Sequence, residues 1–275
     1  MVDLSEIAPS LTETEPGFFR AAAQEEISYP EDAHRLMADL EEKSFWFDHR
    51  ASVLATVLDR HPAPGCLFDV GGGNGYMVRE TRGLGVDSIL VEPGEDGART
   101  ALARGLAPVV NATLASAGFR GETLAAVGLF DVLEHIEDDG GFLRDVRALL
   151  RPGGRVYITV PAFTVLWSAD DVRAGHFRRY RAKSMRRVLD EAGLELEFSS
   201  YFFLSLTLPI FLVRSLPSRF GLRRAQGARR AEHARPRGIV GRLFDMALDL
   251  ELRLLRRYRS PMGSSLFVVA KRASH

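Results

Sequence analysis

Residues 68–77 read FDVGGGNGYM, and their reading decides the fold. The run CLFDV (66–70) has the apolar, β-branched character of a short buried strand. It delivers Asp69 to a loop with glycines at 71, 72, 73 and 75, and a helix follows from about 75 to 84. Glycine permits positive φ and lets backbone approach a ligand without a Cβ clash. The dinucleotide fingerprint G-x-G-x-x-G, started at Gly71, requires glycine at position 76, where this chain has Tyr76. The pattern present is D-x-G-x-G-x-G. A carboxylate beside a diphosphate is repulsive, whereas beside an ammonium or sulfonium it is attractive. The loop therefore suits a ligand with a cationic, amino-acid-like part.

Strands and helices alternate outward from this loop. SILVEP (88–93), APVVN (107–111), the start of AVGLFDVLEH (126–135) and RVYITVP (155–161) read as strands. Helices are expected over 95–104, 141–150 and 183–192, with RPGG (151–154) as a turn. Such alternation predicts parallel βαβ units in a doubly wound sheet. LELEFSSYFF (194–203) and SSLFVVAKR (264–272) read as a closing hairpin, which makes the residues between them an insertion at the sheet edge. The expected fold is α/β: a mostly parallel, seven-stranded Rossmann-like sheet with an N-terminal helical cap and a helical insertion before the last strand. The expected divisions are a cap over 1–60, a core over 61–203 plus 261–275, and the insertion over 204–260. Residues 1–28 carry few periodic signals. Leu36, Met37 and Leu40, and then Val53, Leu54, Val57 and Leu58, recur at helical spacing.

Glu92, at the end of ILVEP, is placed to accept two hydrogen bonds from a ribose diol. Adenosine with a cationic amino-acid tail is S-adenosylmethionine. On FDVGGGNG (68–75), LVEP (90–93), FDVLEHIEDD (130–139) and LLRPGGRVYITVP (149–161), the chain resembles the class I S-adenosylmethionine-dependent methyltransferases, in the broad group that holds the ubiquinone-biosynthesis-type enzymes. The resemblance spans roughly 45–203 plus 264–272. It implies that Asp69, Gly71, Gly73, Asn74 and Gly75 hold the methionine part, and that Glu92 with Pro93 takes the ribose. Thr113 and Leu114 would flank the adenine, and Phe130 and Asp131 would lie against the methionine part. Many relatives carry an aspartate for the adenine amino group. Here no carboxylate occurs between Asn111 and Arg120, so Asn111 or a backbone carbonyl would serve. S-adenosylhomocysteine is the implied product.

A sulfonium methyl needs alignment, exclusion of water and sometimes removal of a proton. His135 and His176 are the candidate bases. Trp167, Arg178 and Tyr180, on the long segment 163–181, are candidates for acceptor binding. In SFWFDHR (44–50), Trp46 and Arg50 are candidates for a lid over the cofactor, with Arg50 reaching a carboxylate. The expected reaction is methyl transfer to a small molecule, at a hydroxyl oxygen. The alternatives are a carbon acceptor, a lipid-linked or glycan acceptor, and a cofactor-binding protein without turnover.

Composition excludes other classes. The chain of 275 residues has zero formal net charge, so no global field draws it to nucleic acid. A single cysteine, Cys66, excludes an internal disulfide and a multi-cysteine metal site, and it lies at the start of the first core strand, on the wrong side of the sheet for a cytosine-type nucleophile. Glu137, Asp138 and Asp139 read as a helix start, where acids favour the dipole, so no metal is expected. The N-terminus lacks the order of a signal peptide, and no apolar run reaches 18 residues. A cytoplasmic location is expected. YFFLSLTLPIFLV (201–213) is followed, from Arg214 to Arg242, by nine arginines and one acid. An apolar run beside cations fits a peripheral membrane contact, and a homodimer contact or a cover for the acceptor site fits it as well.

Overall fold

The computed structural model describes residues 2–22, 44–221 and 238–274. Nine strands form one sheet: β1 (Thr12–Glu15), β2 (Phe18–Arg20), β3 (Leu67–Val70), β4 (Ser88–Val91), β5 (Val109–Asn111), β6 (Leu124–Phe130), β7 (Leu150–Pro161), β8 (Leu194–Phe202) and β9 (Ser265–Arg272). Their order is β1-β2-β5-β4-β3-β6-β7-β9-β8. The pairs β2–β5, β5–β4, β4–β3, β3–β6 and β6–β7 are parallel. The expected closing hairpin is present: β8 pairs antiparallel with β9 from Leu194↔Arg272 to Phe202↔Ser265, and β9 is wedged against β7. The chain order reverses beside β3, and the glycine loop leaves the sheet there, at the switch point where open α/β sheets bind ligands.

Two expectations need correction. The N-terminal region is not only a helical cap, because β1 and β2 extend the seven-stranded core by two strands. β1 is exposed along almost its whole length, so it carries no alternation of apolar and polar residues to read. Pairing of β2 with β5, and burial of Phe18 against Val109 and Leu90, make it part of the sheet. The helical pattern through Leu36, Met37 and Leu40 lies outside the described residues. RPGG (151–154) is an excursion inside β7 rather than a turn before a strand: β6 pairs Leu124 with Leu150 and then Ala126 with Arg155, so the four residues bulge out between those pairs.

Period-two alternation sends neighbouring residues to opposite faces. Phe68, Val127, Ile158 and Val268 face one core, against Leu143 and Val146 of helix Asp139–Leu149 and Met185 and Leu189 of helix Ala182–Ala192. Leu67, Ala126, Tyr157 and Phe267 face the other. There, helix Phe45–Arg60 buries Val53, Leu54 and Val57, and helix Gly238–Leu255 buries Leu248 and Leu255. Ser44 caps the first of these helices by accepting from Trp46 N–H. Glu251 ties the insertion to the sheet: its carboxylate accepts from Phe203 N–H at 2.9 Å and Leu204 N–H at 2.7 Å, and lies 2.7 Å from His49 Nε2. That anchor holds the first turns of the cap helix Phe45–Arg60, which carry His49 and Arg50, near the carboxyl ends of the strands.

Candidate active site

The glycine loop is tight because its neighbours leave no room for side chains. Gly71, Gly73 and Gly75 have φ of +71°, +56° and +77°. A Cβ on Gly72 would lie 2.3 Å from Asp69 Oδ2, and one on Gly75 would lie 2.6 Å from Leu106 Cδ1. Glu92 braces the loop. One carboxylate oxygen accepts from Gly73 N–H and the other from Gly94 N–H, each at 2.7 Å. Asn111 donates to the carbonyls of Glu92 and Pro93, both at 3.0 Å, and so fixes the end of β4.

Asp69 is 1 % exposed, and neither carboxylate oxygen has a hydrogen-bond partner among the described residues. Burial, followed by the nearby Glu92, raises its pKa to about 7, with Arg50 opposing. A buried carboxylate without donors is costly, and a cationic ligand part at the loop relieves that cost. The orphaned carboxylate and the cradle of bare backbone fit the methionine part of S-adenosylmethionine.

The other wall begins at the end of β6. Asp131 holds φ +57° and accepts from Thr159 Oγ1 at 3.0 Å, and Arg50 of the cap helix forms an ion pair with it. Arg50 is buried and lies 5.6 Å from the Phe47 ring centroid, and Asp48 accepts from the Tyr76 hydroxyl at 3.2 Å. The cap helix thus closes over both the glycine loop and β6. Next comes the turn Leu133–His135. Glu134 is buried, with its pKa raised to about 8 by desolvation. The His135 ring meets His176 edge-on at 4.7 Å. Desolvation, helped by the neighbouring His176, lowers His135 to about 4. His176 Nδ1 lies 3.0 Å from Asp171 Oδ1. Burial alone would raise Asp171, but hydrogen bonds from His176, Arg179 and the Ser168 backbone outweigh it and hold it near 2.

Residues 42–197 match the family model described as a methyltransferase domain, which covers more than half of the chain. The chain belongs to the methyltransferase-domain family. A 97-residue segment is 32 % identical to the ubiquinone biosynthesis O-methyltransferase of Parvibaculum lavamentivorans, and covers 34 % of this chain and 38 % of that relative. Among solved structures, a chain of the complex between the Haloferax volcanii Trm112 methyltransferase activator and a methyltransferase superposes with TM-score 0.59 at 15 % identity, over 90 % of this chain and all of that one. The phosphoethanolamine N-methyltransferase 2 of Haemonchus contortus, in complex with S-adenosyl-L-methionine, superposes with TM-score 0.54 at 16 % identity, over 89 % of this chain and 57 % of that one. At these identities the likeness is one of fold.

Apart from Trp46, the residues expected around the cofactor lie at or beside the carboxyl ends of β3, β4, β5 and β6. Asn74 and Leu114 are buried, and Phe130 packs on the cap-helix side. Thr113 closes a local turn with Ser116. Trp46 does not face the glycine loop: it stacks on Phe203 at 4.1 Å, at the junction with the insertion. Tyr180 is buried and donates to Asp139 at 2.8 Å and to the Leu133 carbonyl at 3.3 Å, and Arg178 donates to the Glu137 carbonyl at 2.6 Å. These two pin the segment 163–181 to the end of β6, while Trp167 stays half-buried after a 3-10 turn. Cys66 is buried before β3, away from the glycine loop, and burial pushes its thiol up to about 11. Asp171 and Glu134 went unread as site residues. Asp171 looks like an ordinary capping acid beside Ser168, and only the fold brings it and His176 against the turn after β6. Among the described residues, no helix is long and apolar enough to cross a membrane.

Proposed function

We propose that the chain methylates a hydroxyl oxygen of a small-molecule acceptor. The observation that carries this reading is the cluster of Glu134, His135 and His176 at the end of β6, next to the strand that bears the glycine loop. A hydroxyl must lose its proton as the C–O bond forms and the C–S bond breaks, and a carboxylate with two imidazoles is the group of side chains suited to an ionising hydroxyl. An amine uses its own lone pair and has less need of such a cluster. The segment shared with an O-methyltransferase supports the same atom. His135, held near 4 by desolvation and the neighbouring His176, is a weak proton acceptor at neutral pH.

The cofactor supplies a methyl group already activated on sulfur. In this reading the glycine-loop backbone and Asp69 bind the methionine part. Glu92 takes the ribose in addition to its two backbone donors, since a carboxylate offers about four acceptor sites. Arg50 and Asp131 close the site against water. A lipid-like acceptor is supported by one further observation: Leu208, Phe220, Ile239, Leu243 and Leu250 of the insertion are all exposed.

The test is a panel of phenols, catechols, alcohols, amines and activated carbon acids, incubated with methyl-deuterated S-adenosylmethionine and read by mass spectrometry. Labelled methyl ethers are expected. Labelled amines or carbon products alone would overturn the reading, and binding without turnover on every class would favour a non-catalytic role.

A further inference from the structure

We infer that Glu134, His135 and His176 form a site for a divalent first-row metal ion, with an open position for the acceptor oxygen. The clause about the acceptor rests on the oxygen-methylation reading above; the metal site itself does not. The donor atoms of the three side chains all lie within 4.8 Å of one another. They come from two separate segments, the turn after β6 and the end of 163–176, which are locked together by the Phe177 N–H bond to the Glu134 carbonyl at 2.8 Å. A zinc-type ion sits about 2.0–2.2 Å from each ligand, which spaces ligands roughly 3–3.5 Å apart, so donor atoms within 4.8 Å need to close by at most about 1.3–1.8 Å.

Three observations point to a cation. Glu134 is 1 % exposed, and its Oε2 has no hydrogen-bond partner among the described residues. Such an oxygen is costly unless a donor or a cation reaches it. Second, a ring nitrogen of each imidazole lies within 4.8 Å of the other and of a Glu134 carboxylate oxygen, and the two rings meet edge-on rather than stacked. Third, the support behind them is already built. Asp171 holds His176 at Nδ1, which directs Nε2 to the metal, and Asp171 is itself clamped by two bonds from Arg179, at 2.7 and 3.1 Å. The Ala174 backbone engages His135 in turn. A carboxylate behind a ligating histidine fixes its tautomer and raises its basicity. Two imidazoles and one carboxylate suit zinc, cobalt or manganese better than magnesium or calcium, and three protein ligands leave a coordination position open. A hydroxyl oxygen placed there would ionise more readily, its proton leaving to solvent.

The test uses the tag-free full chain, stripped with a chelator and titrated with Zn²⁺ and with Mn²⁺ by calorimetry. One ion per chain is expected, with micromolar or tighter zinc binding. Glu134→Gln and His176→Ala should each weaken it at least tenfold, and Asp171→Asn about 10- to 100-fold. S-adenosylhomocysteine binding, measured on each variant, reports that the chain has folded. The Co²⁺ absorption spectrum of the unmutated chain is a second measurement that needs no variant, and visible bands of an imidazole-ligated ion are expected. No saturable binding, zinc affinity unchanged in folded Glu134→Gln and His176→Ala, or a spectrum of free cobalt would overturn the inference. Tight metal binding without oxygen methylation would overturn the acceptor reading and leave the site standing. Oxygen methylation by a chain that binds no metal would do the reverse.

Discussion

Replacing Asp69 by asparagine should remove a specific pH dependence from both stability and cofactor binding. Asp69 titrates at about 7 in the folded chain, above the ordinary carboxylate value of 3.8, because it is buried beside Glu92 with only Arg50 opposing. The folded chain therefore holds a proton that the unfolded chain has released between those two values. The stability tied to this group is fully present below pH 3.8 and is lost as the pH rises through 7. At about 1.4 kcal/mol per pH unit, the loss amounts to about 4 kcal/mol over that window. Urea denaturation at intervals from pH 4.5 to 8 should show this decline in the unmutated chain and a flatter profile in Asp69→Asn, whatever the absolute stability of the variant. The ligand arm has the opposite sign. If the cationic methionine part binds only beside ionised Asp69, the competent fraction grows with pH, and S-adenosylhomocysteine affinity should rise about 30-fold from pH 5.5 to 8. Calorimetry on the variant should show weak binding with little pH dependence. Equal pH slopes of stability in the two proteins, or an affinity independent of pH in the unmutated chain, would refute the electrostatic account of the loop.

Glu92→Ala removes the acceptor for Gly73 and Gly94 N–H at once. It should lower stability by about 2–4 kcal/mol and weaken S-adenosylhomocysteine binding at least tenfold, with no NADH binding in either protein. Unchanged affinity would remove Glu92 from the site. Gly72→Ala would put a Cβ 2.3 Å from Asp69 and 2.7 Å from Leu90, and should cost about 1–3 kcal/mol in denaturant melts. Gly83→Ala, at a helix position with nothing within 4 Å, should be neutral or gain up to about 1 kcal/mol. In a flotation assay with vesicles containing anionic lipid, the chain should float if the exposed face of Gly238–Leu255 meets membrane, and Leu243→Asp with Leu250→Asp should abolish it. Failure of the unmutated chain to float would leave that face without a lipid role.

Local sequence determined the parts whose signals are short-range. The strand–glycine–helix unit at 67–83 could be read because an acidic strand end, bare backbone and an amphipathic helix succeed each other within a few residues. The closing hairpin was legible because β8 and β9 are long, apolar and bounded by turn residues. The place of Glu92, just past the end of β4, was legible because an apolar β-branched run ends there. Tertiary structure decided the rest, and the reason is that its determinants lie far apart in sequence. β1 is polar and four residues long, and only the pairing of its partner β2 with β5 makes it part of the sheet. Trp46 has the composition of a lid residue, but Glu251, some two hundred residues later, orients the cap helix so that Trp46 stacks on Phe203 while Arg50 turns to Asp131. Glu134 and Asp171 each resemble an ordinary turn acid. They become a site only because the segment after β7 folds back onto the turn after β6 and buries a carboxylate against two imidazoles. No local pattern encodes that meeting, since it depends on where two loops of a twisted sheet end.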